Sequence, residues 1–229
     1  MKDQLVKSFE DFHALTRKLL HSRAWLYRGQ NSVDWRLVPK IGRPEYQKVD
    51  RKNFFSSFKR RAVEFTTIRP EDDWDWMVLG QHHGLPTQLL DWTFNPLVAA
   101  FFAVFPYKDE DCIVYAFKAF HYLDTAVKKP NEFKGVIRIF PRGIAARIAR
   151  QGGAFTYHNS PDLALEGALE KANELIRIVI SKKYRKEMIY ELDKYCINQM
   201  TLFPDLDRLS RYLAWSAHSD IRSFWTKKK

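Results

Sequence analysis

Between Leu79 and Thr93 the chain sets Gln81, His82, His83, Thr87, Asp91 and Thr93 among leucines and a tryptophan. Buried polar groups need hydrogen-bond partners, so a plain core segment gains nothing from this mixture. A solvated loop has no use for the apolar residues. Apolar walls with a few placed polar groups make a ligand pocket.

Each polar residue has a chemical reading and a plainer one. Arg28 follows apolar Leu26 and Tyr27 and precedes Gly29. Its planar fork suits a pyrophosphate or a ribose phosphate; the plainer role is an ion pair with Asp91. Asp91, between Leu90 and Trp92, needs a partner when ionised. It pairs Arg28 or offsets cationic character at an anomeric carbon. Thr87 or Thr93 could hold a ribose hydroxyl, while Thr93 is also placed to bond the start of a helix at Pro96. Tyr27 and Trp92 offer faces for nicotinamide or adenine, or belong to the core. Gln30 and Asn31 stand beside Arg28 or cap a turn. Adjacent His82 and His83 diverge on a helix and lack accompanying Cys-x-x-Cys or His-Glu-x-x-His spacing, so no metal site is assigned. His82 is a candidate general base or a satisfied core histidine. Gln151 precedes Gly152-Gly153, where backbone can approach a ligand, or it simply ends a helix.

The elements that position these groups follow from periodicity. Trp74, Met77, Val78 and Gln81 recur at helical spacing, with Gly84 as cap and Pro86 as stop. Asn95 suits an N-cap and Pro96 a first helical position, opening an almost wholly apolar, buried helix over 96–105. It is too short to span a bilayer, which takes roughly 20 residues. An opening helix is expected through Leu5, Phe9, Phe12, Leu15 and Leu19, and a second through Phe54, Phe58, Ala62 and Phe65. Strands are expected at 24–28, 112–117, 136–140, 154–157 and 175–180. Further helices are expected at 141–150, after Ser160-Pro161, through Tyr184, Met188 and Leu192, and over 205–217. Strands and helices interleave irregularly and no Gly-rich phosphate loop occurs. The expectation is an α+β single domain over 1–229, with residues 1–20 as an N-terminal helix and 226–229 as a basic tail.

The net charge is +11 with 45% hydrophobic residues, which favours an anionic partner, nucleic acid first. Candidate contacts are Lys59, Arg60, Arg61, Arg147, Arg150, Lys182, Lys183 and Arg185. No long apolar run or signal-like start is seen, so a soluble cytoplasmic protein without membrane association is expected. Cys112 and Cys196 read as buried thiols rather than a disulfide.

Tyr27-Arg28-Gly29, the run from Gln81 to Thr93 with Pro96, Ala99 and Phe102-Ala103, the run from Arg147 to Thr156, and the run from Leu202 to Asp207 resemble the FRG domain family. The order of three elements is also similar to the ADP-ribosyltransferase fold of the arginine-serine-glutamate type. There an early strand carries an arginine, a middle strand carries a serine/threonine motif and runs into an Ala/Phe-rich helix, and a loop before a late strand carries a glutamate. Tyr27-Arg28-Gly29, Asp91-Trp92-Thr93 and Gln151 before Ala154-Phe155-Thr156 stand in those places. The second resemblance implies a mixed or antiparallel sheet core flanked by helices, and NAD as cofactor. It puts Tyr27, Arg28, Gly29, Gln30, Gln81, His83, Thr87, Trp92 and Phe155 at the cofactor. Gln151, Asp91, Thr93 and His82 fall at the catalytic centre. A glutamine stands where the pattern has its glutamate, which leaves Asp91 to supply the charge.

The expected function is an NAD-dependent ADP-ribosyltransferase-like effector that modifies nucleic acid, as a toxin or in phage defence, restrained by a neutralising antitoxin protein. This extension rests on analogy. The alternatives are a non-catalytic nucleic-acid- or partner-binding module, and a metal-independent nuclease.

Overall fold

The computed structural model describes residues 3–22, 24–67, 69–118, 122–123, 129–140, 152–169, 173–203 and 205–218. Among them, eight strands form one mixed sheet: β1 (Gln4–Val6), β2 (Trp25–Gln30), β3 (Leu89–Thr93), β4 (Cys112–Lys118), β5 (Tyr122–Leu123), β6 (Val136–Ile139), β7 (Gly153–His158) and β8 (Glu174–Ile180). The strand order is β1-β8-β4-β2-β3-β7-β6-β5. β1 with β8 and β5 with β6 are parallel pairs; the rest are antiparallel. The helices are α1 (Phe9–Arg17), α2 (Arg51–Ala62), α3 (Asp73–His82), α4 (Pro96–Val104), α5 (Lys182–Lys194), α6 (Gln199–Leu202) and α7 (Leu206–His218). The expected α+β class with a helix-flanked mixed sheet is observed.

The sheet changes character at its middle. β2 pairs with β4 through six residues, from Trp25 opposite Lys118 to Gln30 opposite Ile113. β3 pairs with β7 through five, from Leu89 opposite Tyr157 to Thr93 opposite Gly153. β2 and β3 share only the pair Tyr27–Thr93. Beyond it the strands part, and Arg28 Nη1 donates to the Asp91 main-chain carbonyl at 2.8 Å. A side chain replaces the ladder there.

α4 lies against one face of β2. Its signals act as expected: Asn95 accepts from the Leu97 N–H, and Pro96 opens the helix. Close approach needs Gly29, whose absent Cβ would stand 1.9 Å from the Ala99 carbonyl oxygen and 2.5 Å from the Ala103 nitrogen. β2 therefore runs through Gly29 to Gln30 instead of ending at Arg28. The core on the α4 face gathers Tyr27, Val98, Ala100, Val114, Ile178 and Met188; the other face gathers Leu26, Leu37, Leu90, Trp92, Ile113 and Phe117.

Other expectations fail for local reasons. Residues 4–6 form β1 rather than the start of a helix, and Leu5 is exposed. Ser8 is the N-cap of α1, accepting from the Asp11 N–H, while Asp11 accepts from the Lys7 N–H. The helix expected after Ser160-Pro161 is only a 3-10 turn at Leu165–Gly167. Its polar groups are drawn to the 31–38 loop: the Leu165 N–H donates to the Leu37 carbonyl and the Glu166 carboxylate accepts from the Leu37 N–H. Cys112 is buried as expected, but Cys196 is exposed, at φ 58° just past α5. The helix expected at 141–150 lies outside the described residues. No helix among them is long and apolar enough to cross a membrane.

Candidate functional site

A cavity of about 1280 Å³ opens where β2 and β3 part. Tyr27, Arg28, Gly29, Gln30, Gln81, His82, His83, Asp91, Trp92, Thr93 and Phe155 all line it. Residues distant in sequence meet because β2, β3 and β7 are consecutive neighbours in the sheet, while α3 delivers Gln81 and His82 from its last turn. Asp72 caps that helix at its start, and Gly84, at φ 84°, lets the chain turn back toward β3.

The polar groups form a chain. Thr87 Oγ1 donates to Gln81 Oε1 at 2.6 Å, and Gln81 Nε2 donates to Asp91 Oδ2 at 2.8 Å. The amide orientation is thereby fixed, with its N–H end toward the carboxylate. Asp91 Oδ2 also stands 3.7 Å from Arg28 Nη1, and the Asp91 side chain is 57% exposed toward the cavity. Burial pulls the Arg28 pKa down; Asp91 pushes it up, and the charge of nearby Arg43 lowers it again. Two guanidinium groups thus sense each other at one cavity, the arrangement an anionic ligand relieves. Tyr27 Oη, Arg28 Nε and Gln30 Oε1 are buried without a hydrogen-bond partner among the described residues. Burial pushes the Tyr27 hydroxyl up to about 12.

Behind Arg28 lies a neutral relay. Trp92 Nε1 donates to Thr156 Oγ1 at 2.9 Å, and Thr156 Oγ1 meets His158 Nε2 at 3.0 Å. Burial first, and the charge of Arg28 second, depress His158 to about 3. This histidine stays uncharged at neutral pH.

Several sequence expectations change. Trp92, though at the cavity lining, is buried, with its N–H committed to Thr156 and its ring 5.3 Å from that of Phe117. Gly29 serves the approach of α4. Thr87 acts through Gln81 rather than as part of the cavity wall. Thr93 Oγ1 accepts from the Asn95 N–H, the helix-start role, while still facing the cavity. Arg185, expected at a nucleic-acid surface, is wholly buried. It donates to the carbonyls of Val104, Asn31, Glu110 and Pro106. Lys59 is paired with Asp73 at 2.7 Å, whereas Arg60, Arg61, Lys182 and Lys183 are exposed. Gln151, Arg147 and Arg150 lie outside the described residues; the neighbouring Gly152 accepts from the Phe94 N–H through its carbonyl.

Sequence reasoning did not find Trp35, Arg36, Arg43, Phe102, Phe105 and Lys108, which also line the cavity. The adjacent pair Trp35-Arg36 in the connection after β2 was the available signal.

An α+β fold with a ligand-sized cavity at a parted sheet is the class that the geometry defines. The family model of the FRG domain matches residues 23–112, from the approach to β2 to the first residue of β4. The FRG resemblance holds over that span, which contains the Tyr27-Arg28-Gly29 and Gln81–Thr93 motifs. No curated protein and no solved structure matches the chain.

Proposed function

We propose that the protein is an NAD-dependent ADP-ribosyltransferase-like effector that modifies a macromolecule, nucleic acid before protein. The observation that carries this reading is the parting of β2 from β3 with Arg28 across the gap, which puts Arg28, Asp91 and Thr93 at one cavity. These are the residues that the resemblance sets at the first and second elements; β7, the strand that the third precedes, is the next strand in the sheet. The cavity exceeds the usual range for drug-sized ligands, roughly 300–1,000 Å³, and so suits a dinucleotide.

The residues fit the group. Arg28, with Arg43 close enough to alter its pKa, would hold the pyrophosphate. NAD would supply the ADP-ribosyl group and release nicotinamide. Asp91, held by Gln81 and exposed at the cavity beside Arg28, would offset positive charge at the ribose carbon under attack. His82, partly buried at the cavity wall, is the candidate base for the acceptor. A neutralising antitoxin would follow if the target is essential, by analogy alone.

The test is incubation with adenylate-labelled NAD and cell lysate. Label on nucleic acid supports the reading, and label on protein moves the acceptor class. With folded protein and no label anywhere, a non-catalytic binding module replaces the enzyme.

A further inference from the structure

The geometry points to a single-stranded nucleic-acid platform at the cavity mouth, built from Trp35, Arg36 and Lys108. The inference rests on the reading above only in taking the cavity as the place of reaction, and it names the form in which the acceptor arrives.

Trp35 is 49% exposed. A large aromatic at a cavity mouth, left in water, costs the fold burial it could have had. It is not there because its loop is loose. Asn31 Nδ2, at the start of the loop, donates to the Ala103 carbonyl at 2.9 Å and to that of Phe105 at 3.1 Å. Tyr115 Oη donates to the Trp35 carbonyl and Gln30 Nε2 to the Arg36 carbonyl, each at 3.4 Å. The Leu37 N–H donates to Glu166 at 3.2 Å. The backbone on both sides of Trp35 is thus fixed before any ligand binds, which lowers the ordering cost of binding.

The charges around the ring suit phosphate. Lys108 Nζ lies 5.2 Å from the Trp35 ring centroid. Its pairing with Glu110, at 3.4 Å between half-exposed groups, is weak. Arg36 is exposed and has no ion pair or side-chain hydrogen bond among the described residues. Asp34 lines the cavity here, Glu110 pairs with Lys108, and Asp109 and Asp111 are engaged by Lys182; these carboxylates disfavour phosphate on their own sides. A base face on Trp35 with its neighbouring phosphates at Arg36 and Lys108 matches how single strands bind, by stacking plus backbone charge. A duplex keeps its bases stacked on one another and offers no free face.

The test is fluorescence anisotropy of labelled ten-nucleotide oligo-dT and oligo-U, and of the matching duplexes, without NAD. The single strands are expected to bind at least tenfold tighter than the duplexes. Trp35→Ala should weaken single-strand binding about fivefold or more, while Trp35→Phe retains most of it. Replacing Arg36 and Lys108 together by alanine should flatten the slope of log affinity against log salt by about 1.4, roughly 0.7 per lost phosphate contact. NAD affinity should fall much less than single-strand affinity, and the circular dichroism spectrum should not change. The platform is overturned if duplex binds as tightly as single strand, if Trp35→Ala has no effect, or if only acidic peptides bind. It is also overturned if Trp35→Ala weakens NAD instead, which would make the rim part of the dinucleotide site. If oligonucleotides bind as expected and NAD does not bind, the platform stands and the transferase reading falls.

Discussion

Gly29→Ala separates packing from ligand binding at a residue that sequence motifs assign to the cofactor. A Cβ at this position would lie 1.9 Å from the Ala99 carbonyl oxygen and 2.5 Å from the Ala103 nitrogen, both helix backbone. Ordinary carbon–oxygen contact is about 3.3 Å, so α4 must retreat by more than about 1 Å. Seven of its nine residues are buried, including Val98, Ala99, Ala100, Phe101, Ala103 and Val104, so the retreat disturbs packing along the whole helix. Overpacking a core costs typically 1–3 kcal/mol and occasionally more. With rigid backbone as the obstacle we expect about 3 kcal/mol or above, against a total stability of roughly 5–15 kcal/mol. In urea, with a slope of about 2–3 kcal/mol/M, the midpoint should fall by about 1 M or more. NAD affinity, measured where the variant is still folded, should fall less than for Arg28→Ala. A midpoint shift below about 0.2 M would refute the packing argument, and a selective loss of NAD affinity would return Gly29 to the cofactor.

Three more outcomes follow from the same contacts. Gln81→Glu sets a second carboxylate against Asp91 in place of an amide donor 2.8 Å away, and should destabilise by about 1–3 kcal/mol at pH 7; the introduced carboxyl's pKa rises in the fold, so the charge-repulsion part of the loss should shrink as the pH falls from about 6 to about 4, and equal, pH-independent stability would contradict the Thr87–Gln81–Asp91 chain. His158 is depressed to about 3 in the fold, against about 6.5 unfolded. Its contribution is therefore full above pH 6.5 and is lost as pH falls toward 3, because the unfolded chain binds the extra proton. Between pH 7 and 5.5 the wild type should lose about 1 kcal/mol more than His158→Gln, and parallel stability curves would contradict a buried neutral ring. Arg185→Glu should unfold the protein rather than weaken nucleic-acid binding, since it strips four carbonyls of their donor and buries a carboxylate among them; a folded variant with a reduced salt slope would restore Arg185 to the surface.

The parts of the fold that were legible in the sequence are those with strong local signals. Asn95-Pro96 and the apolar run after it fix α4, Gly84 and Pro86 end α3, and alternation marks β4 and β6. Gln81, His82, His83, Asp91 and Thr93 do gather at one cavity, because they flank a turn that returns the chain to the sheet, while Thr87 acts through Gln81. Long-range decisions were not legible. Residues 4–6 read as helix because Leu5 and Phe9 are four apart, yet β8, some 170 residues later, draws them into the sheet. Trp92 and Asp91 are neighbours with opposite fates, one locked to Thr156 and the other open to the cavity, and that choice is made by strand alternation against β7. Arg185 looks like one cation in a basic cluster. Only the tertiary fold reveals that the C-terminal carbonyls of α4 and the segment after it need its donors.

The central claim is that the parted sheet holds NAD through Arg28, and calorimetric titration of NAD into the wild type, Arg28→Ala and Arg28→Lys tests it most directly. Losing a charge-assisted guanidinium contact of roughly 1.5–3 kcal/mol should weaken binding about 10- to 150-fold in Arg28→Ala. Lysine should restore little, since a point charge does not replace the fork. NAD binding that is unchanged in Arg28→Ala, or absent from the folded wild type, would contradict the account.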